Sequence, residues 1–481
     1  MPTETLLRTS TRADQTATAV CREAKAFENI GEYAKARDAL APFWNQVGER
    51  PRIEGSSPED QAELLLRAGS LSGWLGSSGQ VAGAQQFAKD LISESIRRFE
   101  EQDAREKVAE ARTDLAICYW REGAMDEARI WFQSALEASK DPANQLRALV
   151  NSTSVEVSTN HLDQARALLD RAASLLDDVA DDAALGRFYM QRGIVNRRLG
   201  GVENLDRALL DHTAASVHFE RAKHRRYFAR AQNNIAVALL ELGRYDEALQ
   251  TLDEARRTFV EMGDVGSVAQ LNDTRARVFL AQQRYGDAEK LAFSSASVLD
   301  RGGERSLLGD TLHTLGIAQA RQRRHTAALT TLKRAAELAD TAGDPESAGR
   351  ALLTTLEELN SFISAEQITN LYFEADRRLG EDLSYQTMKR LRECARLLTA
   401  HPVSAVAAGA STTILFEEEV KQCESNLIKQ ALDQANGSVT RAARILGLTH
   451  QGLCYIINHR HKNLLASRAP IRVRRKSVIR K

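Results

Sequence analysis

Residues 243–255 read GRYDEALQTLDEA, and the same spacing recurs along the chain. Gly243, Tyr245, Ala248, Leu252 and Ala255 fall at G-x-Y-x-x-A-x-x-x-L-x-x-A. In GAMDEARIWFQSA the same places are held by Gly123, Met125, Ala128, Phe132 and Ala135, and in GEYAKARDAL by Gly31, Tyr33, Ala36 and Leu40. Weaker copies begin at Asn160 (NHLDQARALLDRA), Gln283 (QRYGDAEKLAFSS) and Arg323 (RRHTAALTTLKRA); Ala248, Ala288 and Ala328 are spaced by 40 residues. Alanines seven apart lie two helical turns apart, share one face and let a neighbouring helix approach closely, while the larger residue between them fills the adjoining groove. Upstream of the copies lie second amphipathic segments, such as NNIAVALLELG at 233–243 and TLHTLGIAQARQ at 311–322. Each unit is therefore a helical hairpin.

Composition points the same way. At 481 residues the chain exceeds the size at which one hydrophobic core stops growing, so several domains or an elongated repeat are expected. It is 43% hydrophobic with only eight prolines, rich in good helix formers, which indicates an all-α fold. Five cysteines (Cys21, Cys118, Cys394, Cys423, Cys454) form no CxxC pair, which excludes a disulfide framework and a structural zinc site. The N-terminal residues lack the apolar core of a signal peptide, and no run of eighteen apolar residues occurs, so a cytoplasmic location is expected.

The repeating residues resemble the tetratricopeptide repeat, which reads L-G-x-x-Y in its first helix and A-x-x-x-F-x-x-A in its second. Leu115, Ala116, Tyr119, Gly123, Ala128, Phe132 and Ala135 match it, as do Leu315, Gly316, Ala328, Leu332 and Ala335. The period of about 40 departs from the family's 34 and suggests longer helices. The resemblance spans most of residues 20 to 390 and implies, over a repeat region placed at 16–400, a tetratricopeptide-like helical-hairpin superhelix with an extended concave face for a protein or peptide, and no closed pocket for chemistry. The copies near Val81 and Leu210 are poor, so irregular helices or insertions are expected there.

The pattern stops at HPVSAVAAGAST, residues 401–412, which reads as a linker. Residues 1–15 are expected to be a flexible N-terminus. Beyond the linker, residues 413–466 begin with a long amphipathic segment carrying Leu415, Val420, Cys423, Leu427, Ile428, Ala431 and Leu432, stopped at Asn436-Gly437. Then Ser438 caps a helix with Ala442, Ala443 and Leu446, Gly447 makes a turn, and Thr449 caps a second helix with Leu453, Ile456 and Ile457. A helix-turn-helix needs a small residue where its helices cross, a glycine four on, and an apolar residue six further; Ala443, Gly447 and Leu453 supply these.

This run resembles the Fis-type helix-turn-helix DNA-binding domain, matching at Ala431, Leu432, Gly437, Ala442, Ala443, Leu446, Gly447, Leu448 and Leu453, with Ser438 at the usual Asn. Gly452 stands where the family has Thr or Ser, and a glycine inside a helix costs about 1 kcal/mol, which would leave the second helix less stable before DNA is bound. The resemblance implies that Thr449, His450, Gln451, Tyr455, His459 and Arg460 face the major groove of double-stranded DNA, Gln451 reading adenine and Arg460 gripping phosphate. Ser438, Thr440 and Arg441 would hold the backbone at the preceding helix N-terminus. It also implies a homodimer reading two half-sites about one helical turn apart.

Charge is polarised along a chain that is neutral overall. Residues 413–481 carry 13 Lys/Arg against 5 Asp/Glu, a surplus of eight that the rest of the chain offsets. The basic tail at 467–481 contains Arg472, Arg474 and Arg475 among its seven cations and no acid, a composition suited to phosphate. No phosphate-binding loop, dinucleotide fingerprint or nucleophile constellation is present, so no enzyme activity, cofactor or metal is expected. Together these readings describe a sequence-specific DNA-binding transcription regulator with a partner-binding repeat region. The alternative is a repeat scaffold or adaptor whose basic C-terminus contacts nucleic acid without sequence preference.

Overall fold

The structure, a computed structural model, describes residues 16–179, 181–302, 304–380, 385–400, 416–435, 437–461 and 464. The chain divides into two compact units, Met1–Val403 and Ser404–Lys481. The expected flexible N-terminus at 1–15, the linker at 401–412 and the basic tail at 467–481, with Arg472, Arg474 and Arg475, lie outside the described residues.

The described part of the first unit is all-helical, nine hairpins followed by a last helix. The hairpins pair α1 (Ala17–Asn29) with α2 (Tyr33–Leu40), α3 (Pro58–Gly79) with α4 (Ala84–Glu101), α5 (Arg105–Glu122) with α6 (Met125–Ala138), and α7 (Pro142–Ser158) with α8 (Leu162–Ala173). They continue with α9 (Asp182–Leu199) and α10 (Val202–Arg221), α11 (Arg225–Glu241) and α12 (Tyr245–Glu261), α13 (Val265–Ala281) and α14 (Tyr285–Leu299). The last two are α15 (Arg305–Arg321) with α16 (His325–Thr341) and α17 (Pro345–Leu359) with α18 (Ala365–Leu379); α19 (Tyr385–Ala400) closes the array. Each helix packs on its neighbours in sequence, as in a tetratricopeptide superhelix. Among the described residues no helix is long and apolar enough to cross a membrane.

The packing follows the anchor alanines. Ala36, Ala88, Ala128, Ala165, Ala208, Ala248, Ala288 and Ala328 each have no exposed surface, so the backbones of paired helices meet at these points. Two expectations are corrected here. The weak copies near Val81 and Leu210 form uninterrupted helices, α4 of 18 residues and α10 of 20. At the motif positions α4 buries Ala88, Ile92 and Ser95, and α10 buries Ala208, His212 and Ala215, so the geometry of A-x-x-x-L-x-x-A persists. Only side-chain volume at each position matters to that geometry, and Ser95 and His212 meet the volume requirement while breaking the letter pattern.

The turn between paired helices shows the same tolerance. Gly243 sits there with φ +77°, and its counterparts Asn160, Gln283 and Arg323 hold the same left-handed conformation at 60°, 61° and 62°. A side chain in that region crowds its own carbonyl, at roughly 1–2 kcal/mol per residue, whereas glycine does not. Tertiary packing of the flanking helices holds these residues in place.

The superhelix closes on itself. The end of α3 reaches the starts of α13 and α15: Ser78 Oγ donates to Asp264 at 3.2 Å, and Gln80 Nε2 donates to Glu304 at 3.2 Å. Arg226 Nε donates to the Gly31 carbonyl at 3.2 Å while its guanidinium pairs with buried Asp264. A Cβ on Gly266 would lie 2.6 Å from the Ser77 carbonyl, so only glycine permits this approach. In the middle of α3 the fully buried Arg67 is bound by three carboxylates, Glu28 at 2.6 Å, Glu63 at 3.1 Å and Glu110 at 2.5 Å.

Arg323 is exposed and in the left-handed region, so Arg323→Gly is expected to stabilise the repeat unit by about 1 kcal/mol once the lost strain is set against the more flexible unfolded chain. Chemical denaturation of the two proteins measures it, and a destabilised variant contradicts the strain argument.

Candidate functional site

In the second unit α20 (Phe416–Gln434), α21 (Val439–Ile445) and α22 (His450–His459) form a compact trio. Their core is Ile428, Ala431, Leu432, Ala435, Ala442, Ala443, Leu453, Ile457 and Leu464, all buried. α20 ends where the Gly437 N–H donates to the Leu432 carbonyl at 2.8 Å, with φ +75° at Gly437. α21 ends similarly, Leu448 N–H donating to the Ala443 carbonyl at 2.8 Å past Gly447 at φ +66°. Ala443 is 1% exposed and Leu453 fully buried, so the small residue sits at the crossing and the leucine locks it, as the spacing requires.

Thr449 caps α22, its Oγ1 accepting from the Gly452 N–H at 3.1 Å. This corrects the expectation about Gly452: it lies in the first turn of the helix, where its N–H needs a side-chain partner, rather than in the interior where glycine costs most. A second correction concerns Ser438, which occupies the cap position of α21 without a side-chain capping bond.

The candidate DNA-contacting residues separate by position. Thr440 and Arg441 at the start of α21 and His450 and Gln451 at the start of α22 are exposed, and Tyr455 one turn on is 63% exposed. Ser438 is half-buried, while Thr449 is exposed with its hydroxyl engaged in the cap. The His459 side chain lies outside the described residues. Arg460 differs from expectation: its guanidinium pairs with Glu424 of α20 at 3.3 Å, so phosphate contact would require exchanging that partner. Beside it His461, 2% exposed, places Nε2 2.9 Å from Glu424 Oε2, a tie between the end of α22 and α20. Its partner is 37 residues distant, so no local spacing in the sequence announces this tie. Ala443→Leu should overpack the crossing, cost about 1–3 kcal/mol, and abolish DNA binding by this unit; full DNA affinity in that variant would contradict the role given to the crossing.

The repeat unit holds a second candidate. In keeping with the expected concave face, the odd-numbered helices from α3 to α17 line a half-open cavity of about 340 Å³, with the seam between α3 and α13 joining the ends of the superhelical turn beside it. An adjoining space of about 290 Å³ shares Trp120, Arg197, Arg230 and Asp310 with it. Asp273 and Asp310 line this second space, and burial raises both carboxyls, Asp273 to about 7. Asp273 Oδ1 has no hydrogen-bond partner. The folded state therefore binds a proton at Asp273 that the unfolded chain releases near pH 4, and its stabilising contribution, complete below that pH, is lost as pH rises through 7. Asp273→Asn should flatten the fall in repeat-unit stability between pH 4 and 7, measured by thermal unfolding across that range.

Comparison with known proteins places both units. A family model described as "Bacterial regulatory protein, Fis family" matches residues 419–455, and two tetratricopeptide-repeat models match residues 88–143 and 227–295. The search of curated proteins finds no match. Among solved structures, a Rap protein complexed with Competence and Sporulation Factor is similar with TM-score 0.50 and 12% identity over 72% of this chain and 100% of that one. A STAND protein with a tetratricopeptide repeat sensor from Pyrococcus horikoshii has TM-score 0.42 and 13% identity over 82% of this chain and 54% of its own. Yeast Tom70 has TM-score 0.40 and 14% identity over 81% and 83%. At these identities the structures share the fold alone. Repeats at 88–143 and 227–295 and a Fis-family domain at 419–455 together make the chain a tetratricopeptide-repeat protein with a C-terminal Fis-type helix-turn-helix domain, a DNA-binding regulator with a repeat region.

Proposed function

We propose that the protein is a cytoplasmic, sequence-specific transcription regulator that acts as a homodimer, performs no catalysis of its own, and receives its input as a protein or peptide bound by the repeat unit. The observation that carries the reading is the exposed leading edge of α22. His450 and Gln451 stand at the N-terminal end of a helix whose other face, Leu453 and Ile457, is fixed in the core. A helix presented this way can enter the major groove with those side chains leading. Gln451 has the paired donor and acceptor that match adenine, and Arg441 and Thr440 on the preceding helix suit phosphate. The surplus of basic residues after position 412 supplies sequence-independent attraction. Leu427, 53% exposed on α20, favours pairing of that helix with a second copy.

The test is selection of a randomised duplex pool by the full-length protein, followed by binding as a function of salt. A distinct recovered sequence is expected. Gln451→Ala should relax preference at one base pair by about 1–3 kcal/mol, whereas Arg472→Ala with Arg474→Ala should weaken all duplexes alike and reduce the salt slope. Equal affinity for every duplex would instead identify a repeat scaffold with a non-specific basic end.

A further inference from the structure

The wall of the repeat cavity carries a cluster of cations set on aromatic rings. The Arg121 guanidinium lies 3.8 Å from the centre of the Trp74 ring and that of Arg230 5.5 Å from the Tyr227 ring; Trp74 and Tyr227 meet edge to face at 6.4 Å. Tyr33 stacks on Trp74 at 4.8 Å, with Arg226 over the Tyr33 ring at 4.9 Å. Arg187 lines the same cavity, and its nearest carboxylate, Asp181, is 3.7 Å away. Arg226 is neutralised by Asp264, but neither Arg121 nor Arg230 has a carboxylate within ion-pair distance among the described residues.

Further along the channel the requirement reverses. Asn233 Oδ1 and Asp273 Oδ1 are buried acceptors without a donor, and both line the adjoining space. Buried polar groups are ordinarily paired. A phosphate or other small anion would satisfy the arginines and leave these acceptors empty. A peptide backbone alternates N–H and C=O, so it supplies donors to Asn233 and Asp273 while a carboxylate on the same molecule meets the arginines.

The geometry points to a binding site in the repeat unit for a short acidic peptide, its carboxylate held by Arg121, Arg187 and Arg230 over Trp74 and Tyr227 and its amide donors held by Asn233 and Asp273. This assignment rests on the partner-binding reading above and names the chemistry of that partner. A basic chain would be repelled by the same arginines.

The full-length protein is incubated with a randomised heptapeptide pool of equal acidic and basic content, and retained peptides are sequenced by mass spectrometry. Asp and Glu should be enriched at least threefold over the pool. The Arg121→Gln/Arg230→Gln variant, checked by its thermal midpoint, should return to pool composition, while Arg121→Lys/Arg230→Lys, which keeps the charge, should retain the acidic preference. Retained peptides without acidic enrichment overturn this inference and leave the partner-binding reading standing, whereas retention of no peptide overturns both. Undiminished enrichment in the glutamine variant overturns the residues assigned, and complete displacement by millimolar inorganic phosphate shows a site for a small anion instead.

Discussion

Close approach of helix backbones at buried small residues is the constraint on which the repeat unit depends. Ala88, Ala128, Ala165, Ala208, Ala248, Ala288 and Ala328 are each without exposed surface, and a larger side chain at any of them would push two helices apart. Because every hairpin uses the same contact, each is turned relative to the last by a similar step. Repetition of that step winds the array until α3 reaches α13, and this return joins the ends of the turn beside the cavity.

The seam explains features that have no place in an isolated hairpin. Gly266 admits the Ser77 carbonyl, and the Arg226–Asp264 pair joins hairpins distant in sequence through Gly31 and Ser78. Charged groups in the interior are tolerated where several partners meet them, as the three carboxylates around Arg67 do. Inside the cavity the balance is incomplete, with cations on one wall and unpaired acceptors along the next.

The second unit reaches its form by a different economy of residues. Its core is small, and two left-handed glycines, Gly437 and Gly447, set the paths of three helices. Thr449 and Gly452 complete the first turn of α22, and the Glu424–His461 contact fastens its end. With both ends fixed, the exposed edge at His450 and Gln451 is held in a defined orientation within this unit.

Local chemistry was legible in the sequence by itself: seven-residue spacing of small residues announces packed helical hairpins, and Ala443, Gly447 and Leu453 announce a crossing of fixed angle. These features depend on neighbours within a few turns, so their period survives in the letters. Legibility failed at α4 and α10, where Ser95 and His212 satisfy the same volume with different letters, and at Arg460, whose Glu424 partner is remote. Only the tertiary structure decided that the superhelix closes, which arginines lack a counter-charge, and that Asn233 and Asp273 face the same space. Closure is the sum of many small rotations between hairpins, and no single stretch of sequence encodes a sum.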